Sequence, residues 1–317
     1  MLLASIALIA GLALLYFGAE ILVAGALGLS MRLGVSSLVA GLTVVAMGTS
    51  MPEFFVSFKA AWDQETGLAL GNIVGSNIFN ITVVLGLAAV ICPIRVERQL
   101  LRLEVPFLIA LTAAFAMAIS LGGVSQLVGV LFIITFGIYV TWTVLSLTKE
   151  KSASKSTEEE KKGSEQLSGM SYFKAIALML LGVTMLGFGA DWFVYSGVFF
   201  ARYFEVSETI IGLTILAMGT STPELASTLV AAKRKETDVV IGNVLGSNLF
   251  NILFVAGGAG LVFPLPRGDI SSVDIGFLLV SAILLFPIAK TGHQICRREG
   301  LILVFIQAVF LFLIWPK

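Results

Sequence analysis

Two glutamates stand in apolar surroundings, and the same residues precede both. Glu53 closes the segment Gly41 to Glu53, GLTVVAMGTSMPE, and Glu224 closes Gly212 to Glu224, GLTILAMGTSTPE. Thr49, Ser50, Thr220 and Ser221 add hydroxyls beside them. A carboxylate inside a bilayer costs several kcal/mol unless something offsets it. No basic residue lies in the interior of any apolar stretch, which leaves ligation rather than an ion pair as the offset. Pro52 and Pro223 lack an N–H and collide with the carbonyl four residues back, at Gly48 and Gly219. Carbonyls around Ala46 to Thr49 and Ala217 to Thr220 are therefore expected to be free. Backbone left open at membrane depth survives only where it lines a cavity or is buried in protein. The expected result is a ring of hard oxygen donors around two carboxylates. Ca²⁺ takes about six to eight such oxygens in a flexible cage, and two carboxylates neutralise one divalent ion. Transition metals favour His or Cys, and the chain has one His and two Cys, none at ligand spacing.

A second pair of blocks, Gly71 to Asn80 (GNIVGSNIFN) and Gly242 to Asn251 (GNVLGSNLFN), supplies Ser76, Asn80, Ser247 and Asn251. Gly71 with Gly75 and Gly242 with Gly246 form GxxxG pairs, which let helices approach closely. Close packing would bring the small polar side chains to the glutamates. Asn72, Asn77, Asn243 and Asn248 are placed one layer further out, knitting helices together. The sequon Asn80-Ile81-Thr82 falls inside a span and is set aside. Glu20, in FGAE, and Asp191, in FGAD, are expected toward span ends as interface anchors. His293 is expected to be solvated. All three pairs of blocks are separated by the same 171 residues, so the chain is duplicated.

The elements that must hold these residues are membrane helices. The chain has 317 residues, 57% of them hydrophobic, with a mean hydropathy of +0.99 and 13% charged residues. That is half the roughly 25% charged share typical of a soluble domain. Zero net charge removes the electrostatic case for a nucleic-acid partner. A span needs about 20 apolar residues. Ten stretches qualify: 2–29, 37–61, 67–91, 100–120, 124–147, 171–200, 208–232, 238–262, 271–290 and 300–315. The N-terminus has no basic region before its apolar run and is read as the first span rather than a signal peptide. The Lys-, Glu- and Ser-rich stretch 149–170 reads as a cytosolic tether. It divides a first five-helix repeat, 1–148, with its motif at 41–80, from a second, 171–317, with its motif at 212–251. With both termini outside, 16 Lys and Arg fall in the inside loops or at their edges and 4 outside, as the positive-inside rule requires. Both cysteines then face the cytosol and are expected to be reduced. Five is odd, so the halves enter the membrane from opposite sides. The fold class is thus an all-α membrane protein of ten transmembrane helices in two inverted-topology repeats. Such repeats, with interrupted helices at a central site, mark secondary transporters.

The paired GTSMPE and GTSTPE segments, each followed by GSNxxN, resemble the α-repeats of the cation/Ca²⁺ exchanger superfamily, above all its prokaryotic Na⁺/Ca²⁺ exchangers. The resemblance covers the whole chain. It implies a Ca²⁺/Na⁺ antiporter of a prokaryotic plasma membrane, working by alternating access. It implies Ca²⁺ ligation by Glu53 and Glu224, which also share Na⁺, with backbone carbonyls from Thr49 and Thr220. It implies flanking Na⁺ sites built from the carbonyls of Ala46 and Ala217 and the hydroxyls of Ser50, Ser76, Ser221 and Ser247. Asn80 and Asn251 would close the centre, and the first and sixth spans would slide over the other eight. If three Na⁺ replace one Ca²⁺, as the family implies, each cycle moves one net charge. Several relatives, K⁺-dependent ones among them, carry Asp where this chain has Asn251, which argues against K⁺ co-transport. H⁺- or K⁺-coupled exchange is the alternative, and a cation channel or an intramembrane hydrolase suits an inverted duplication less well. No cofactor and no catalytic residue is expected; the partners are the two ions and the lipid bilayer, with a single chain as the functional unit.

Overall fold

The computed structural model describes residues 1–151, 170–204 and 217–314. The tether at 149–170 and the first half of the span expected at 208–232 therefore lie largely outside the described residues. The chain is helical almost throughout. In repeat one, α1 (Leu2–Leu33) is followed by the bent pair α2 (Ser37–Thr49) and α3 (Met51–Trp62), then α4 (Thr66–Ile91), α5 (Arg98–Ser120) and α6 (Gln126–Lys151). In repeat two, α7 (Tyr172–Tyr203), α8 (Ala217–Thr220), α9 (Thr222–Lys233), α10 (Thr237–Val262), α11 (Ser272–Lys290) and α12 (Arg297–Ile314) follow the same plan. Among the described residues seven helices are long and apolar enough to cross a bilayer, or eight with the bent pair counted as one span. The other two expected spans are the one entered before residue 217 and α12, whose first turn carries Arg297, Arg298 and Glu299.

Local chemistry sets the boundaries that matter. α1 stops at Gly34, whose φ of 67° turns the chain while its N–H returns to the last carbonyls of the helix. Ser36 then starts α2 by accepting the Val39 N–H at 3.3 Å. Pro52 divides α2 from α3 with a 45° bend. α4 and α10 each contain a π-helical stretch, Asn80–Val84 and Asn251–Ala256, which begins on the asparagine of the motif. In α4, the Thr82 hydroxyl donates to Ile78 O at 2.7 Å and lies 2.7 Å from Gln307 Oε1 of α12. A side chain working on the ladder in this way is a recognised cause of helix distortion.

Small residues let the helices meet backbone to backbone. α1 and α7 run against each other along most of their length, with Gly11 facing Gly189 and Gly18 facing Gly182. α10 packs on α2 of the other repeat, where a Cβ at Gly246 would lie 2.4 Å from Leu42 O. The GxxxG reading is thus met at Gly242 and Gly246 but not at Gly71 and Gly75, where a Cβ would meet nothing within 4 Å. Gly246→Val is expected to cost about 1–3 kcal/mol through overpacking, visible as a lower unfolding midpoint in detergent.

Two short antiparallel ribbons tie the repeats together at their loops. β1 (Ile94–Arg95) pairs with β4 (Gln294–Ile295), and β2 (Gly123–Val124) pairs with β3 (Leu265–Pro266). Each ribbon holds one loop of each repeat, so the two loops it joins share a side of the membrane. Arg32, which donates to Met170 O at 2.7 Å, likewise places the end of α1 beside the start of α7.

Candidate cation site

The break in α2–α3 and its counterpart in α8–α9 bring the two glutamates to the middle of the molecule. Each glutamate sits in the first turn of the helix after the break. There the freed N–H groups and the positive end of the helix dipole favour negative charge. Glu53 and Glu224 are sealed from solvent, at 0% and 1% exposure.

The hydrogen bonds around them cross from one repeat to the other. Ser50 Oγ donates to Glu224 Oε1 at 2.6 Å, and Ser221 Oγ donates to Glu53 Oε1 at 2.8 Å. Ser221 Oγ also lies 3.0 Å from Ser76 Oγ. Thr220 Oγ1 donates to Asn72 Oδ1 at 3.0 Å, and the matching Thr49 Oγ1 lies 3.4 Å from Asn243 Oδ1. Neither half contains a complete constellation; each glutamate is held by the serine of the other.

Seven buried polar atoms of this cluster have no protein partner: Glu53 Oε2, Glu224 Oε2, Ser247 Oγ and both side-chain polar atoms of Asn80 and of Asn251. Buried polar groups are ordinarily satisfied, and an orphaned one costs about 1–3 kcal/mol. Five of the seven are oxygens, acceptors open to a cation, and among the described residues no basic side chain is joined to the two carboxylates; the two amide nitrogens are donors. The donor set contains only oxygen and amide groups, which fits hard ions such as Ca²⁺ and Na⁺.

The expected backbone donors need one correction. Ala46 O is engaged, by Ser50 N–H at 3.0 Å and by Thr49 Oγ1 at 3.3 Å. The open carbonyls fall one step later. Among the described backbone hydrogen bonds, none from the next turn reaches Gly48 or Thr49, because Pro52 has no N–H and the chain bends at Ser50. Ala46 keeps only a second lone pair to offer. Ala217 opens α8 in the equivalent place.

The outer layer behaves as its position suggests. Asn72 Nδ2 donates to Ser57 Oγ at 2.9 Å and lies 3.4 Å from Glu53 O, so its amide ties α3, α4 and α8. Asn243 Nδ2 donates to Thr228 Oγ1 at 2.8 Å and Ser227 Oγ at 3.1 Å. Asn77 and Asn248 bond carbonyls of their own helices, Ile73 O and Val244 O. Ser57 and Thr228 escaped the motif reading, although the 171-residue offset relates them as it relates the glutamates. Glu104 escaped it too: it is 2% exposed and accepts from Tyr139 Oη at 3.1 Å, which fastens α5 to α6. Glu20 and Asp191 are not at span ends. Their helices are 32 residues long each, and both acids lie well inside them.

The repeats differ in one respect. α1 packs against α9, and its Glu20 is ion-paired with Arg234 at the end of that helix. The equivalent contact of α7 with α3 is open. A cleft of about 470 Å³ lies there instead, lined by residues that include Gly48, Pro52, Asp191, Thr220 and Pro223. Among the described residues the site is thus approached from the side of α3 and α7, where the cleft lies.

A paired-carboxylate site buried between inverted membrane repeats, open to one side, defines an ion transporter. The chain belongs to the sodium/calcium exchanger protein family, whose model matches residues 3–145 and 174–315. It is 36% identical to an uncharacterized membrane protein of Methanocaldococcus jannaschii, over 92% of this chain and 91% of that one. It is 30% identical to the sodium/calcium exchanger MaX1 of Methanosarcina acetivorans, over 96% of both chains. Among solved structures, the sodium-calcium exchanger NCX_Mj soaked with Na⁺ and Ca²⁺ superposes with a TM-score of 0.84 at 31% identity, covering 100% of each chain.

Proposed function

We propose that this protein is a secondary antiporter that exchanges Ca²⁺ for Na⁺ by alternating access, rather than an enzyme. The observation that carries this is the crossed pair of Ser–Glu hydrogen bonds with both outer carboxylate oxygens left unpartnered. In this reading Ca²⁺ takes Glu53 Oε2 and Glu224 Oε2 together with the carbonyls of Thr49 and Thr220. Na⁺ occupies the flanks, using the hydroxyls of Ser50, Ser76, Ser221 and Ser247 and the spare lone pairs at Ala46 and Ala217. Asn80 and Asn251 line the centre without adding charge. One divalent ion or several monovalent ions satisfy the two carboxylates, but both sets cannot be held at once. An empty site leaves bare charge in a low dielectric, which holds the gate still.

The glycine seam between α1 and α7 supports moving those two helices as one body over the rest. Sliding would open the side now closed by α1 on α9 and close the cleft beside α3. The β1–β4 ribbon and its flanks carry Arg95, Arg98, Arg102, Lys290, Arg297 and Arg298, whereas Arg267 follows the other ribbon. With the positive-inside rule, this reading has both termini outside, the 149–170 tether in the cytosol and the open cleft outside. A prokaryotic plasma membrane is the location this reading implies, with one chain as the working unit.

Competition at equilibrium tests the proposal. Bound ⁴⁵Ca²⁺ on the purified protein is expected to be displaced by Na⁺ along a curve steeper than a simple hyperbola, with K⁺ or choline ineffective at equal ionic strength. Na⁺ displacing no more Ca²⁺ than choline does would overturn it.

A further inference from the structure

The 171-residue offset makes Glu20 of α1 and Asp191 of α7 equivalent, yet the structure puts them in opposite surroundings. Glu20 is neutralised by Arg234, and next to it Lys233 lies 5.4 Å from the ring centroid of Tyr16. That pair sits where α1 packs on α9, the helix that carries Glu224. Among the described residues Asp191 has no hydrogen bond or ion pair and is the only charged side chain lining the open cleft. Gly48, Pro52, Thr220 and Pro223 line the same cleft, and the two prolines immediately precede Glu53 and Glu224, each with one unpartnered oxygen.

We propose that Asp191 is a recruitment site for the entering metal cation at the open mouth, and that Glu20 is its counterpart at the opposite mouth, masked here by Arg234. This rests on the cation-exchange reading above. A lone carboxylate between apolar walls focuses its field and raises the local cation concentration. Asp191 is exposed in the open state, and a carboxylate within a membrane helix needs a counter-ion once the cleft shuts and water is excluded. At the closed mouth Arg234 is that counter-ion, tethered to the helix that carries Glu224. At the open mouth a mobile cation takes the role until the cleft shuts. Lys59, one helical turn before the position equivalent to Arg234, is then the fixed cation at hand; in the present state it is paired with Asp63. Each mouth carboxylate thus alternates between a cation in transit and a cation of the chain.

The test is the initial rate of Na⁺-driven ⁴⁵Ca²⁺ uptake, in vesicles of known orientation, as a function of Ca²⁺ on the cleft side. Asp191→Asn is expected to raise half-saturating Ca²⁺ about threefold to tenfold at low ionic strength. The loss should fall on half-saturation rather than on the maximal rate. It should shrink when N-methylglucamine chloride is raised to about 0.5 M, because exposed charges are screened. Asp191→Glu should restore most of it. Wild-type uptake together with unchanged half-saturation in Asp191→Asn overturns this inference alone, as does a loss confined to the maximal rate and indifferent to salt. Wild-type protein without Na⁺-driven uptake overturns the exchange reading and this inference with it.

Discussion

Exchange of either buried carboxylate for its amide, Glu53→Gln or Glu224→Gln, is expected to reduce Ca²⁺ exchange at least about a hundredfold. Removing one partner from a buried charge cluster costs about 3–5 kcal/mol, and each 1.4 kcal/mol is a factor of ten. The fold should survive, since glutamine keeps the shape and an oxygen that Ser221 or Ser50 can still donate to. The ion-free variant is also relieved of one uncompensated buried charge. Thermal unfolding separates these effects. Ca²⁺ should raise the unfolding midpoint of the wild type, because it binds the folded state. The variants should melt no lower than the ion-free wild type and should lose the Ca²⁺-dependent rise. Near wild-type exchange in either variant contradicts the site assignment.

The second large effect concerns the serines that cross between the repeats. Ser50→Ala and Ser221→Ala each remove a donor to the other repeat's glutamate, at 2.6 and 2.8 Å, and each removes one hydroxyl ligand proposed for Na⁺. Hydrogen bonds to charged groups contribute about 1.5–3 kcal/mol, so the Na⁺ concentration for half-maximal exchange should rise roughly tenfold or more. Ca²⁺ half-saturation should move less, since Ca²⁺ retains both carboxylates. The double variant should not show the simple sum of the two losses, because both serines act on one shared cluster. Equal losses for the two ions would place the serines in the Ca²⁺ shell instead.

The duplication made most of the site readable before any coordinates. A glutamate after a proline in an apolar stretch is ambiguous once; the same arrangement at the same offset as a second one is a paired site. Ser50, Ser221, Asn72 and Asn243 could be placed for the same reason, and the structure brings each against a residue of the other repeat. Ser57 and Thr228 obey the offset as well, but they lie between the two matching blocks of each motif, where a lone hydroxyl on a helix carries no signal of its own. No local residue pattern announces the π-helical stretches at Asn80 and Asn251, the first of which holds the Thr82–Gln307 contact between helices. The engaged carbonyl at Ala46 is a matter of where the chain bends, which proline alone locates only to within a residue or two. The difference between the two mouths is the least legible feature. Two nearly equal halves imply two equivalent states, and only the packing of α1 on α9 says which is occupied. Glu20 and Asp191 lie well inside 32-residue helices, although the spans read from the sequence, 2–29 and 171–200, are nearly as long.

The most direct test is ⁴⁵Ca²⁺ uptake into proteoliposomes loaded with Na⁺ and diluted into Na⁺-free buffer, with K⁺-loaded vesicles and an imposed pH gradient as parallel arms. Uptake that requires the outward Na⁺ gradient, and that fails in both other arms, is the expected result. Uptake driven by the pH gradient alone, with Na⁺ loading without effect, would contradict Na⁺/Ca²⁺ exchange.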